Sequence, residues 1–155
     1  MLQRIQSIYL LAAGLVTAAL FVFPLVNNVY VDGNSLTIMV TGVYQNINGQ
    51  QAHTEVFTAL TIATALVALL PIVVIFLYKD RKRQINMCYL LMVITIGFSY
   101  WVAQAVKNTI GGAYLNFGNY GVGIILLSLS LLLIVLAQKS IQRDEKLVRS
   151  ADRLR

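Results

Sequence analysis

Residues Val56 to Arg83 read VFTALTIATALVALLPIVVIFLYKDRKR, and this stretch decides the fold class. Val56 to Tyr78 holds no charged side chain, whereas Lys79, Arg81, Lys82 and Arg83 follow at once with only Asp80 to offset them. An uncharged run of this length supplies the roughly 20 helical residues that cross a hydrocarbon core of about 30 Å. The basic cluster behind it marks the side on which the helix ends, because short loops rich in Lys and Arg stay cytoplasmic.

Three more uncharged runs flank it: Ile5 to Val31, Gln84 to Val106 and Asn108 to Gln138. With 155 residues, 58% hydrophobic and 12% charged, the chain has too few charges to cover a soluble globule of its size. The expectation is an all-α membrane protein: one integral domain over 1–155, a four-transmembrane-helix bundle with spans about 5–26, 56–78, 85–106 and 119–138, and a cytoplasmic tail at 139–155. The first run follows Arg4 as a signal peptide would. It is longer than the usual apolar core of about 7 to 15 residues and no small-x-small site stands out after it, so it reads as an uncleaved anchor.

Of the twelve Lys and Arg residues, Arg4, the four around Asp80 and six beyond span four lie on one side of this layout, and Lys107 alone lies on the other. Both termini and the span two to three loop are therefore expected in the cytoplasm of a multi-pass inner-membrane protein. The outer loops run from Asn27 to Thr54 and roughly from Lys107 to Asn119. Tyr30, Tyr44, Tyr100, Trp101, Tyr114 and Tyr120 gather near the outer boundary, where amphipathic rings prefer to lie, and Tyr78 and Tyr89 mark the inner one. The net charge of +6 has anionic lipid as its simplest counterpart. No nucleic acid is expected, since the basic residues lack aromatic platforms or zinc-finger spacing.

In the first outer loop, Asp32 and Gly33 separate Val29, Tyr30 and Val31 from Leu36 to Val40, which predicts a small β-hairpin resting on the helix ends. Tyr44 to Gln51 reads as the exposed tip. Beyond Gln138 the chain turns polar and predicts an amphipathic carboxyl-terminal helix. Ile141, Leu147, Val148, Ala151 and Leu154 share one face, with Arg143, Lys146, Arg149 and Arg153 mostly opposite. It is either the last span projecting, with Asp144, Glu145 and Asp152 in local ion pairs, or a segment lying on the membrane or docked on a partner.

Within the spans, Gly14 and Ala18, Ala59 and Ala63, Thr61 and Ala65, and Thr64 and Ala68 repeat a four-residue spacing that lets helices approach in lipid. Pro71 deprives the Val67 carbonyl of its usual donor and should bend span two unless Thr64 or a neighbour compensates. Gly118, Gly121 and Gly123 suit close approach of another backbone and do not form a dinucleotide fingerprint.

Chemistry is sparse. Cys88 is the single cysteine and reads as a packing residue; with the lone His53 it offers no metal pair, so no cofactor is expected. His53 and Glu55, two apart at the outer end of span two, would diverge on a helix. Ser128 and Ser130 have no nearby base and would bond back to their own helix. The spans carry no midplane carboxylate, Lys, Arg or His of the kind that proton relays retain. The one polar stripe is Gly97, Trp101, Gln104 and Asn108, with Lys107 beside it. It is either an interfacial belt with Lys107 reaching to water or a contact for a lipid headgroup, a quinone-like ligand or a partner helix.

The ends of the chain, Met1-Leu2-Gln3-Arg4-Ile5-Gln6-Ser7-Ile8-Tyr9-Leu10-Leu11 and Asp144-Glu145-Lys146-Leu147-Val148-Arg149-Ser150-Ala151-Asp152-Arg153-Leu154-Arg155, resemble those of an uncharacterised family of four-span inner-membrane proteins from Bacteroidota, a domain of unknown function. The resemblance implies location and shape, no reaction, and a role for the terminal basic segments beyond topology. Claudin-like four-span proteins share an outer loop with β character, but the paired cysteines and Trp of that loop are missing here.

The functional expectation is a non-enzymatic accessory or scaffolding subunit of a larger inner-membrane assembly, with lipid, a membrane-protein partner or self-association as its contacts. The alternative is a small lipid- or quinone-binding membrane protein or transporter using the Trp101, Gln104 and Asn108 face. In a Cys88→Ser background, an Asn46→Cys variant is expected to react with a membrane-impermeant maleimide in intact cells, and a Lys82→Cys variant only after the cells are opened. The reverse pattern inverts the layout.

Overall fold

The computed structural model describes residues 3–31, 34–47, 50–78, 80–111 and 116–152. Helix α1, Gln3–Ala18, ends in a 3-10 turn at Ala19–Phe21 and leads into four strands: β1 Val26–Val31, β2 Asn34–Met39, β3 Gly42–Ile47 and β4 Gln50–Val56. Helices α2, Thr58–Phe76, α3, Arg81–Ile110, and α4, Val122–Asp152, complete the described chain, with a 3-10 turn at Phe117–Asn119 before α4. Three of the helices, α2, α3 and α4, are long and apolar enough to cross a membrane, whereas α1 is shorter.

The helices pack side by side, α1 against α2 and α4, and α3 against α4 and α2. Their outer surfaces are apolar. Ile8, Leu11 and Leu15 on α1, Ile62, Leu66, Leu69, Val73 and Phe76 on α2, Val93 and Ile96 on α3, and Ile125, Leu129, Leu132 and Leu136 on α4 are all exposed. In water such stripes would drive aggregation; a hydrocarbon surrounding removes that penalty.

Two apolar clusters fill the interior. One, at the sheet end, contains Leu20, Leu25, Val26, Val29, Ile38, Leu60, Phe98, Val102 and Leu127, and the other, at the far end, contains Leu10, Ala13, Cys88, Leu91, Ile134, Ala137 and Ile141. Each helix also buries a hydroxyl: Thr17, Thr64, Thr95 and Ser130. Thr17 and Ser130 touch at 2.8 Å, and Ser130 also donates to the Ala13 carbonyl at 3.3 Å, so this serine bonds across to α1 and not back to its own helix as expected. Thr64 and Thr95 bond to their own helices, at the Leu60 and Leu91 carbonyls. Because Thr64 donates to Leu60, it does not supply the donor that Pro71 withholds from Val67, and α2 nonetheless runs unbroken through Pro71. The expected small-residue contact is present where Gly14 meets the Ala68 backbone.

The sheet corrects the all-α expectation. In place of one hairpin there is a four-stranded antiparallel meander, β1-β2-β3-β4, and Tyr44 to Gln51 is not a loop tip, for the register pairs Ile47 with Gln50. Alternation in β2 buries Leu36 and Ile38 and turns Ser35 and Thr37 away, a period readable in the sequence. β4 has no such signal, since residues 52–56 are exposed on both faces. His53 and Glu55 thus lie on a strand and not at the start of a helix. The expected Asp32-Gly33 turn falls outside the described residues, although Val31 pairs with Asn34 as a two-residue connection requires. In β1 a bulge between Val26 and Val29 places Asn28 at φ 52, a left-handed conformation that Asn tolerates better than most residues.

The sheet is fastened at two places. The β2–β3 turn sits on the start of α2, where Phe57 N donates to the Thr41 carbonyl at 3.0 Å and Thr61 Oγ1 to Val40 at 3.1 Å. On the opposite edge, Gly121 N donates to Leu25 and Gly123 N to Pro24, each at 2.9 Å, while Asn119 Nδ2 donates to the Asn27 and Asn28 carbonyls. A Cβ on Gly121 would fall 2.2 Å from the Pro24 oxygen, so only glycine permits this approach.

Of the two readings of the carboxyl-terminal helix, the backbone follows the first, a prolongation of the last apolar helix. α4 continues without a break past Gln138, and Ile141 and Asp144 are buried against the other helices. Asp144 is thus removed from the local ion pairing expected for it, while Leu147 and Val148 stay exposed.

Gly121→Ala is expected to lower stability by about 1–3 kcal/mol through overpacking against Pro24. Gly97→Ala, inside α3 with nothing within 4 Å of the new methyl, should not lower stability and is expected to raise it by up to about 1 kcal/mol. Thermal unfolding of the two variants in the same detergent checks the difference.

Candidate functional site

The stripe expected on α3 divides into two concavities. Trp101, Gln104 and Asn108 line a recess of about 400 Å³ together with Glu55, Phe57, Ala105 and Thr109. Lys107 turns the other way and, with Asn108, lines a larger groove of about 800 Å³ between α3 and α4. Asn108 is the ridge they share. The split follows from helix geometry: Trp101, Gln104 and Asn108 recur at three and four residues, and Ser99, Val102, Val106 and Ile110 do the same on the adjoining face.

In the recess, Gln104 Nε2 donates to the Tyr100 hydroxyl at 2.7 Å, so the two side chains form a surface pair one turn apart. Trp101 is 47% exposed. Glu55 reaches the recess from β4, which brings a carboxylate to the end of the structure that also holds Lys107. Sequence reading weighed Glu55 only beside His53, as a pair diverging at the start of a helix. A strand places it on the rim.

The groove has a polar mouth and apolar walls. Lys107, Asn108 and Tyr120 stand at the sheet end; Val102, Val106 and Ile110 from α3 and Ile124 and Leu127 from α4 form the sides; Ser99 and Ser128 lie deeper. Sequence reading took Ser128 for a hydroxyl bonded to its own helix and Tyr120 for an interfacial ring, did not single out Ser99, and joined none of them to Lys107. Their spacing was visible, but that α4 stands against α3 there was not.

A second polar group lies at the far end. Gln6 of α1 donates through Nε2 to Asp144 Oδ2 of α4, and Arg81 of α3 donates to the Asp144 backbone carbonyl at 3.4 Å. Asp144 is only 6% exposed, and its Oδ1 has no hydrogen-bond partner among the described residues. Gln84 donates to the Val74 carbonyl at 3.2 Å, closing the α2–α3 hairpin from inside. Around this polar group lie exposed cations: Lys82 and Arg83 of α3, then Lys139, Arg143 and Lys146 of α4. The side chain of Arg149, and Arg153 altogether, lie outside the described residues, so the tail face proposed for docking is placed only at Arg143 and Lys146.

No group of three or more His, Cys, Asp or Glu side chains comes together among the described residues. Cys88 is wholly buried in the far cluster. His53 stacks on Tyr44, with ring centroids 4.5 Å apart and planes 17° from parallel, on a strand surface open to solvent. What the geometry offers is binding surface: an apolar groove with a cationic mouth, a recess beside it, and a sheet edge.

A family described as a domain of unknown function, DUF4293, matches residues 2–154. The chain belongs to this family. No curated protein matches it, and no solved structure does. Both the groove and the Asp144 group therefore lie within the stretch that defines the family.

Gln6→Leu is expected to destabilise the protein by about 1–3 kcal/mol, because it strips a buried carboxylate of its donor. Replacing both partners, Gln6→Leu with Asp144→Leu, should recover part of that loss, since two apolar groups of similar shape leave nothing unsatisfied. Unfolding midpoints in detergent for the single and double variants test the pairing.

Proposed function

We propose that the chain is a four-span protein of the inner membrane, with both ends in the cytoplasm, and that it acts without catalysis as an accessory or scaffolding subunit. The topology is supported by charge: Lys82, Arg83, Lys139, Arg143 and Lys146 collect at one end, and the sheet forms the other. The fourth crossing is supported by length. With α1 and its 3-10 turn, the helical run Gln3 to Phe21 is about 30 Å long at 1.5 Å per α-helical and 2.0 Å per 3-10 residue. Its exposed Ile8, Leu11 and Leu15 form the same kind of apolar stripe as the three longer helices present.

The observation that carries the subunit role is the asymmetry of the sheet's two edges. β1 is covered at Val26 by a bridge to Tyr120 and at its bulge by Asn119. β4 bonds only to β3 among the described residues, and residues 52–56 are exposed. An uncovered strand presents unpaired N–H and C=O groups to any extended segment that aligns with it, and β-strand addition is a recurrent mode of recognition. The occupant this favours is an extended outer segment of a membrane-protein partner. The fixed frame beneath, anchored at Phe57 and Thr61, holds the edge at a constant height above the bilayer.

A photoreactive side chain at Thr54, introduced at native expression, is expected to give one recurring heteromeric adduct. The same probe at lipid-facing Leu132 should give none. Adducts of the chain with itself alone, or the same adducts from both positions, would refute the accessory role.

A further inference from the structure

We infer that the groove between α3 and α4 is a binding site for a phosphate-bearing diacyl lipid, its headgroup at Lys107 and Asn108 and its upper acyl segment along the apolar walls. The inference goes beyond the subunit role, since it concerns a different surface and a different class of ligand.

Charge complementarity selects the headgroup. Among the described residues Lys107 is the one Lys or Arg at the sheet end, and it makes no ion pair with any of them. Asn108 and Tyr120 beside it add an amide and a phenol, groups that bond phosphate oxygens as well as water. A neutral quinone could accept a hydrogen bond from the ammonium but would leave its charge uncompensated, which a phosphate does not. Glu55, the one carboxylate among the described residues of the sheet, lines the recess on the other side of Asn108 and not the groove.

Depth selects a lipid over free phosphate. From Lys107 down to Ser99 the groove follows α3 for about 12 Å at the helical rise. Between the mouth and the deeper hydroxyls of Ser99 and Ser128 the walls are Val102, Ala103, Val106, Ile110 and, from α4, Ile124 and Leu127, side chains that offer an inorganic ion no partner. A volume of about 800 Å³ lies in the upper part of the range of ligand sites, about 300–1,000 Å³. The order of the lining also matches an amphiphile standing in a bilayer: polar groups at the interface, hydrocarbon below. Lys107 in the last turn of α3 would complement the helix dipole in any case. That role needs no groove, which is what makes the two separable.

The full chain, purified in mild detergent, is titrated with phosphatidylglycerol and, separately, with a diacylglycerol of the same chains, and bound lipid is counted by native mass spectrometry. One saturable phosphatidylglycerol is expected, with binding about tenfold weaker in Lys107→Ala, restored in Lys107→Arg, and weaker still for the diacylglycerol, in line with the usual weight of a charge-assisted hydrogen bond. Ala103→Phe, which fills the groove and leaves Lys107 in place, should also lose the lipid while unfolding at the wild-type temperature. Equal occupancy in the wild type, Lys107→Ala and Ala103→Phe overturns the site, leaving annular lipid and a dipole-capping lysine. Displacement of the lipid by millimolar inorganic phosphate overturns the lipid assignment in favour of a free anion.

Discussion

The backbone contact between Pro24–Leu25 and Gly121–Gly123 governs the architecture above the helices. Two amide hydrogen bonds at 2.9 Å join the chain as it leaves α1 to the chain as it enters α4, and the absence of side chains at both glycines allows the approach. Hydrophobic attraction between helices is weak when lipid is the solvent, so such close contacts and the interhelical bonds of Thr17 and Ser130 have to hold α1 against α4. Once that seam is fixed, β1 must start where α1 ends, and the rest of the meander is laid out from β1 by short turns. The sheet then meets α2 at Phe57 and Thr61, which returns the chain to the bundle.

The same seam explains where the surface opens. α4 enters the bundle tethered to β1, on the α1 side, while α3 ends in a glycine C-cap at Gly111 with φ 60. Nothing comparable ties the top of α3 to the top of α4 among the described residues. The large groove lies there, and its walls are buried side chains such as Val102, Val106 and Leu127 that also belong to the sheet-end cluster. The far half of the bundle is different. There Gln6, Arg81 and Asp144 join α1, α3 and α4 in one hydrogen-bonded group, and Leu10, Cys88, Ile134 and Ile141 are packed beneath it. One end is closed by polar bonds across three helices; the other is closed on one side and open on the next.

The helices were legible because uncharged length is a strong signal that depends on nothing else in the chain. Their ends were less so. The run Ile5 to Val31 contains most of α1 and all of β1, since strand residues such as Val26 and Val29 are as apolar as a helix in lipid and composition does not distinguish them. The sheet was underestimated for the opposite reason: residues 52–56 of β4 are exposed on both faces, so they lack the alternation by which strands are recognised. At Gln138 polarity rises without a change in backbone, because leaving the hydrocarbon alters which residues are favourable but not whether the helix continues. The candidate site was half visible. The face of Trp101, Gln104 and Asn108 follows from spacing within one helix, whereas Ser99, Tyr120 and Ser128 share a groove with Lys107 only because α4 stands beside α3, a relation that local pattern does not carry.

Asp144 brings these strands of argument together. A carboxylate that is nine-tenths buried, bonded to Gln6 and set beside Arg81 is the kind of group that membrane proteins retain only where the surroundings compensate it. Its position supplies that compensation: it lies three residues beyond buried Ile141, at the end where Lys139, Arg143 and Lys146 face solvent. Three helices must stand at a fixed height relative to one another for Gln6, Arg81 and Asp144 to meet. Sliding α1 or α3 along α4 by one turn would leave the carboxylate without Gln6 and α4 without Arg81, an outcome far less favourable than losing one apolar contact. Apolar faces in lipid specify register poorly, because one leucine packs much like the next. The polar group at the far end and the glycine contact at the sheet end therefore act as two pins on the same bundle, and the height of the β4 edge and of the Lys107 mouth follows from them.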